Sequence, residues 1–292
     1  MVLSLNRRQL IAASLGAALR PLQLKAAPIG PPLYVVERGG ARAFIFGGAI
    51  PPDRSWLTPA VNSAILQSTT LWQEDLEPPP PFNRELNIEL GRRGGGELFD
   101  DLDAQTRLRV TRIAETFDFP LDMFQQMRPW AVGAVVASLD YPRHMAAYKS
   151  DDVKGTILTM FKDRGLPVRS EATDGDYWIR FYASFPLPAA IQYMLYQIDL
   201  AELPRDRFPR WSAQWLRGDQ SGWEGFNRQL ASRYPDLFRE LEVKRNEAWA
   251  RRIATMLAEG GSHFVFVGIQ HTVGLHSIQA SALDLGMPVR RL

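Results

Sequence analysis

The sequence has no cysteine, which excludes a disulfide scaffold, a cysteine nucleophile and any zinc or iron–sulfur site with thiolate ligands. Histidine is scarce: His144, His263, His271 and His276 are all there is. An excess of one charge is also missing, since 34 basic residues face 32 acidic ones, and a near-neutral chain offers no electrostatic case for nucleic acid. No stretch reaches the roughly 18 to 20 apolar residues of a membrane-spanning helix, so no transmembrane span is expected in the mature chain. A Gly-x-Ser-x-Gly elbow is absent, which argues against an α/β-hydrolase serine. The Gly94-Gly95-Gly96 run follows Arg92-Arg93 and lacks a Gly-Lys-Ser/Thr continuation, so it reads as a flexible loop and not as a phosphate cradle. What is present, 46% hydrophobic and 23% charged residues over 292 positions, is enough for one large core or two small ones.

The first 27 residues stand apart. Arg7-Arg8 precedes an apolar segment from Leu10 to Leu19, then come Arg20, Lys25 and Ala26-Ala27 before Pro28. This is the pattern of a twin-arginine export signal, with an amphipathic N-terminal helix as the alternative. No clean small-x-small triplet marks a cleavage point. Export would place the mature protein in the periplasm or outside the cell. Losing those four cations leaves 30 basic against 32 acidic residues, a net charge of −2.

From residue 28 to 292 the elements alternate as in a mixed α/β fold. Strands are expected at Arg42 to Phe46, Thr69 to Gln73, Leu166 to Arg169, His263 to Val267 and Pro288 to Leu292. Thr58-Pro59 is a cap followed by a first-turn proline, predicting a helix to about Ser68. Pro78 to Pro81 must be a loop. Residues from about 100 to 235 read as a largely helical insertion. A long helix fits Pro235 to Glu259, stopped by Gly260-Gly261, and another fits Ser277 to Leu285. Trp178, Phe181, Tyr182, Phe185, Tyr193 and Tyr196 read as core on two short helices separated by Pro186 and Pro188, with a ligand groove as the alternative.

Two strands share an ending. Phe44-Ile45-Phe46-Gly47-Gly48-Ala49-Ile50 and Val265-Phe266-Val267-Gly268-Ile269-Gln270-His271 each run from apolar residues through glycine to one defining position. Ligands of open α/β sheets bind beyond the carboxyl ends of strands, although a buried strand commonly ends in glycine in any case. In the 235–259 helix, Leu241, Arg245, Trp249 and Ile253 recur every four residues, which puts Arg245 on an apolar stripe. A buried arginine needs a carboxylate or an anionic ligand, unless it snorkels at the edge of the stripe. Lys244, Arg251 and Arg252 read as the solvated side.

These residues carry a resemblance. Arg245-Asn246-x-x-Trp249, Gly260-Gly261, Phe264 to Gly274, Leu285-Gly286 and Val289 form a C-terminal block similar to that of the TraB/PrgY/GumN family, GumN-like bacterial members above all. Weaker likeness extends through Met127-Arg128-Pro129-Trp130 and Trp215-x-x-Gly218-Asp219. The resemblance implies a fold related to Tiki-type metalloproteases and erythromycin-esterase-like proteins, with a central mixed sheet, two strand-end Gly-x-x-His motifs and a divalent metal in active members. Here the second motif is intact at Gly268 to His271, while Ile50, or Pro51 or Pro52 if the alignment slips, replaces the first histidine. A residual metal site would rest on His271, Glu74 and Glu171, and would hold Mn, Co or Zn weakly.

Glu74, Arg245 and His271 are thus the candidate catalytic residues. Each also admits a plain reading: Glu74 as part of a solvated acidic turn, Glu171 as a loop charge, His271 as a core histidine bonded to a backbone carbonyl. His144, His263 and His276 read as structural. Two functions compete: a metal-dependent, peptidase-like hydrolase, and an envelope protein that binds a peptide or other partner in the same crevice with its catalysis impaired.

Overall fold

A computed structural model describes residues 30–145, 151–203 and 207–292; the segment expected to be an export signal and the side chain of His144 lie outside the described part. Six strands are described: β1 (Leu33–Arg38), β2 (Ala41–Gly48), β3 (Thr70–Gln73), β4 (Val168–Ser170), β5 (Ser262–Gly268) and β6 (Val289–Arg291). They form one sheet in the order β4-β3-β5-β2-β1-β6. The strands β4, β3, β5 and β2 are parallel, and β1 runs antiparallel to both β2 and β6, which makes the sheet mixed.

The period of two along each strand explains the layers. Phe44 and Phe46 of β2 and Phe264 and Phe266 of β5 face one side, where they pack with Trp56, Phe161 and Trp215. Ala43, Ile45, Val265 and Val267 face the other side, against Trp249, Ala250, Ile253 and Met256 of the Lys244–Glu259 helix. The register pairs Phe44 with Phe264 and Ile45 with Val265, so the two apolar runs are cross-strand partners in both layers.

The Pro59–Gln67 helix starts as expected, with the Thr58 hydroxyl accepting a hydrogen bond from the Val61 amide. Ser277 caps the Ile278–Asp284 helix in the same way. Three features depart from the expectations. The strand β1 was not among them, although Tyr34-Val35-Val36 before Gly39-Gly40 is a strand-and-turn pattern; both glycines have positive φ in the hairpin to β2. The 235–259 helix is not continuous, because Arg239–Val243 forms a π-helical turn between Pro235–Phe238 and Lys244–Glu259. Finally, residues 100–235 are not a single insertion. The Val153–Lys162 helix and Trp215 and Trp223 pack on the sheet, and β4 is its edge strand, while residues around the Pro129–Met145 and Leu187–Glu202 helices build separate cores.

Candidate functional site

The carboxyl ends of the parallel strands lie along one edge, and the candidate residues follow from that. Glu74 is the first residue past β3 and Glu171 the first past β4. The ladder continues one step beyond both strands, with the Glu171 amide donating to the Gln73 carbonyl at 2.7 Å and the Ala172 amide to the Glu74 carbonyl at 3.0 Å. The two glutamates are therefore neighbours by backbone registry. His271 lies three residues past Gly268 at the end of β5, in a short 3-10 turn.

Arg245 joins them from the facing helix. Its Nε donates to Glu171 Oε1 at 2.9 Å and its Nη2 to Glu171 Oε2 at 2.7 Å, a bidentate pair. Nη2 also donates to Glu74 Oε1 at 2.6 Å, and Nη1 lies 3.0 Å from His271 Nε2. The guanidinium stacks over Trp178, 4.9 Å from the ring centre. Glu74 is fastened from the sheet as well, since its Oε2 accepts the Gly268 amide at 2.8 Å. Glu171 further accepts from Trp249 Nε1 at 3.0 Å and from the Tyr177 hydroxyl. All four candidate residues thus meet at one point.

The His271 tautomer follows from its neighbours. The Asn246 amide nitrogen donates to the His276 carbonyl at 2.7 Å, which turns Asn246 Oδ1 toward His271 Nδ1, 2.7 Å away. That nitrogen therefore carries a proton. Glu242 Oε2 stands 3.1 Å from the same nitrogen, outside good hydrogen-bond geometry, and acts on the ring through its charge. Nε2 faces both the Arg245 donor and Glu74 Oε1 at 3.1 Å. Burial of the ring opposes its charge, but the Glu242 and Glu74 carboxylates outweigh burial and Arg245 together and raise it to about 9. The two carboxylates therefore favour a proton on the ring, against the Arg245 Nη1–H that points at the Nε2 lone pair of the neutral form. Burial would raise Glu74, yet His271 and Arg245 hold it well below the usual carboxylate range. Burial would likewise lower Arg245, and Glu171 and Glu74 reverse that.

In this arrangement the side chains expected to hold a divalent metal are engaged with Arg245. The two oxygens of Glu74 and the two of Glu171 each face an N–H donor, and the guanidinium fills the space between the carboxylates and His271. Among the described residues no three His, Asp or Glu side chains are grouped to hold a metal ion.

Past the ends of β3 and β4 lies a crevice of about 280 Å³, bordered by Asp75, Pro79, Pro80, Lys154, Ala172 and Trp178, with none of the four cluster residues on its wall. Trp178 Nε1 and Lys154 Nζ both hold the Asp75 carboxylate, at 3.0 and 2.7 Å. Of the cluster, Glu74 is the most open, with 24% of its side chain exposed against 6% for Glu171.

The first glycine motif is placed by close packing. A Cβ on Gly47 would lie 2.2 Å from the Thr272 hydroxyl, so glycine there lets the segment after His271 sit against β2. Trp215 Nε1 donates to the Gly47 carbonyl at 3.0 Å. His263 bonds the Gly260 carbonyl, and the His276 ring packs edge-on against Phe238. Arg252 departs from the expected solvated side: it is half-buried, its guanidinium 4.8 Å from the centre of the Trp249 ring. The aromatic group divides, because Phe185 and Tyr193 are buried while Trp178 lines the crevice. Glu242 and Tyr177 were not singled out from the sequence, and Asn246 only as part of the Arg245-Asn246-x-x-Trp249 motif. The signal for Glu242 and Asn246 is their spacing of four on one helix beside Arg245, which faces them toward the same neighbour.

Residues 32–291 match the family described as TraB/PrgY/gumN. No curated protein and no solved structure matches the chain. The matched span runs from the residue before β1 to the end of β6 and holds all four residues of the cluster, so the chain belongs to the TraB/PrgY/gumN family.

Proposed function

We propose that this chain is an exported binding member of its family, in which metal-dependent hydrolysis is impaired and the crevice past the ends of β3 and β4 takes a peptide or another ligand of the cell envelope. One observation carries the reading: Arg245 stands as the cation among Glu74, Glu171 and His271, the position a catalytic metal would need. The isoleucine at position 50 agrees with it, since a hydrocarbon side chain supplies no ligand. The crevice combines Trp178 and two prolines with the Lys154–Asp75 pair, a mixture of apolar wall and fixed charge suited to an extended peptide.

A second reading keeps catalysis, with Glu74 as base or ligand, His271 as ligand and Arg245 stabilising developing negative charge. It is favoured by the convergence of the three and by the partial exposure of Glu74. Against it, Glu74 held well below its ordinary range is a weak base, and Arg245 has already given most of its donors to carboxylates.

Incubation of the mature protein with Mn, Co or Zn and a mixture of quenched fluorescent peptides separates the readings. The expected result is no metal-dependent cleavage, weak metal binding by calorimetry, and binding tightened on the order of tenfold in Ile50→His. Metal-dependent cleavage that Glu74→Gln abolishes would overturn the proposal in favour of the hydrolase.

A further inference from the structure

The strand β4 ends the sheet on the side of the candidate site, and among the described strands none pairs with its outer edge. The ladder to β3 shows which of its backbone groups are spent. The Leu71 amide donates to the Pro167 carbonyl at 3.0 Å, and the Glu171 amide to the Gln73 carbonyl at 2.7 Å. Backbone groups alternate sides along a strand, so Pro167, Arg169 and Glu171 face β3 while Val168 and Ser170 turn their N–H and C=O outward. Those outward groups have no hydrogen-bond partner among the described residues. The register with β3 is unbroken and no proline interrupts Val168 to Ser170, which leaves an edge able to template a further strand.

Two arginines set the chemistry of what this edge accepts. Arg169 is exposed and shares a sheet face with its cross-strand neighbour Trp72, its guanidinium 5.5 Å from the centre of that ring. Arg252, on the Lys244–Glu259 helix that covers the same face, lies 5.6 Å from the same ring. Neither guanidinium meets a carboxylate among the described residues. The cations around the crevice, Lys154 and Arg180, are by contrast paired with Asp75 and Asp174. A strand laid along β4 would put one side chain beside Arg169 and its two neighbours on the opposite face, where Val168 packs against the core of Phe161 and Phe264. That pattern asks for an acidic residue between two apolar ones. The edge also leads into the crevice: the Ser170 hydroxyl donates to the Asp75 carbonyl at 2.7 Å, and Ala172, Asp174 and Gly175 beyond β4 line the wall.

The geometry points to the β4 edge as the docking site of an extended acidic peptide segment, added antiparallel to β4 with its acidic side chain opposite Arg169. This rests on the peptide-binding reading above and names the class of segment and the way it is held. The residues flanking the acidic one exchange backbone hydrogen bonds with Val168 and Ser170. The central pair is then of the non-hydrogen-bonded kind, which brings the two side chains closest.

Calorimetric titration with the peptide acetyl-Thr-Val-Glu-Val-Thr-amide tests it, and saturable binding is expected. Lysine in place of the glutamate should weaken binding about fivefold or more. Methylation of both valine amide nitrogens should weaken it at least about tenfold, whereas methylation of the glutamate nitrogen, which faces away from β4, should change it less than about twofold. Arg169→Glu, at an exposed position, should invert the preference between the glutamate and lysine peptides, which a mere loss of packing on Trp72 would not do. Retained cooperative unfolding shows that this variant is folded. Equal effects of the two methylations, an unchanged preference in Arg169→Glu, or no binding of the glutamate peptide at millimolar concentration would overturn the edge site. Binding that ignores the methylations and Arg169→Glu but is lost in Trp178→Ala would overturn it in favour of the crevice alone, with the binding reading intact. Metal-dependent cleavage of the peptide would instead overturn that reading.

Discussion

Removal of the Arg245 guanidinium should cost far more than removal of any exposed arginine on the same helix. The side chain of Arg245 is 11% exposed and gives three hydrogen bonds to carboxylate oxygens, two of them to Glu171, itself 6% exposed. Arg245→Ala leaves Glu171 with only Trp249 and Tyr177 as donors, and breaking one side of a buried pair costs about 3 to 5 kcal/mol. In a domain of this size that lowers the melting temperature by roughly 10 °C. Arg251, 62% exposed and 3.7 Å from Glu247, should lose less than about 1 kcal/mol on the same change. The loss of aromatic stacking on Trp178 contributes to the single variant but cancels in a double-mutant cycle. With Glu171→Gln the cycle should show a coupling of about 2 to 3 kcal/mol, and with the more open Glu74→Gln about 1 kcal/mol. Denaturant unfolding of the four proteins in each cycle gives these values. Strict additivity in the Glu171 cycle would refute the claim that the pair is a buried, interdependent unit.

His271 makes stability depend on pH in a direction that can be worked out. Its folded value, about 9, lies above the ordinary 6.5, so its contribution is complete below about pH 6.5 and is lost as the pH rises through about 9. Relative to His271→Gln, the wild type should lose on the order of 3 kcal/mol across that interval; parallel stability curves from pH 6 to 10 would sink the assignment of charge. Glu74 acts oppositely, its stabilisation being lost on acidification below the ordinary carboxylate range. For export, replacing Arg7 and Arg8 together by lysine should leave unprocessed protein in the cytoplasm, because the twin-arginine route needs the pair and not charge alone. Unchanged delivery of that variant, followed by fractionation, would refute the signal assignment.

Much of this protein is legible along the chain because it depends on local periodicity and local chemistry. The apolar runs before Gly47 and Gly268, the Thr58 and Ser277 caps and the stop at Gly260 needed only neighbours in sequence. Arg245 was recognisable for a similar reason, since an arginine in register with Trp249 and Ile253 demands a partner whatever surrounds it. Its partners were a matter of tertiary structure. Glu171 is indistinguishable in sequence from a loop charge between Arg169 and Asp174, and it becomes the bidentate partner because β4 pairs with β3 and carries the ladder one residue past both strands. The π turn at Arg239–Val243 contains Glu242 and shifts the helix register just before Arg245 and Asn246, and no propensity announces such a register change. The mutual placement of cation, imidazole and carboxylates spans contacts of up to 197 residues in sequence. Burial and charge then set the protonation of His271 and Glu74. Sequence could therefore nominate the groups, while the long-range pairing of strands and the low-polarity interior decided which of them touch and which carry charge.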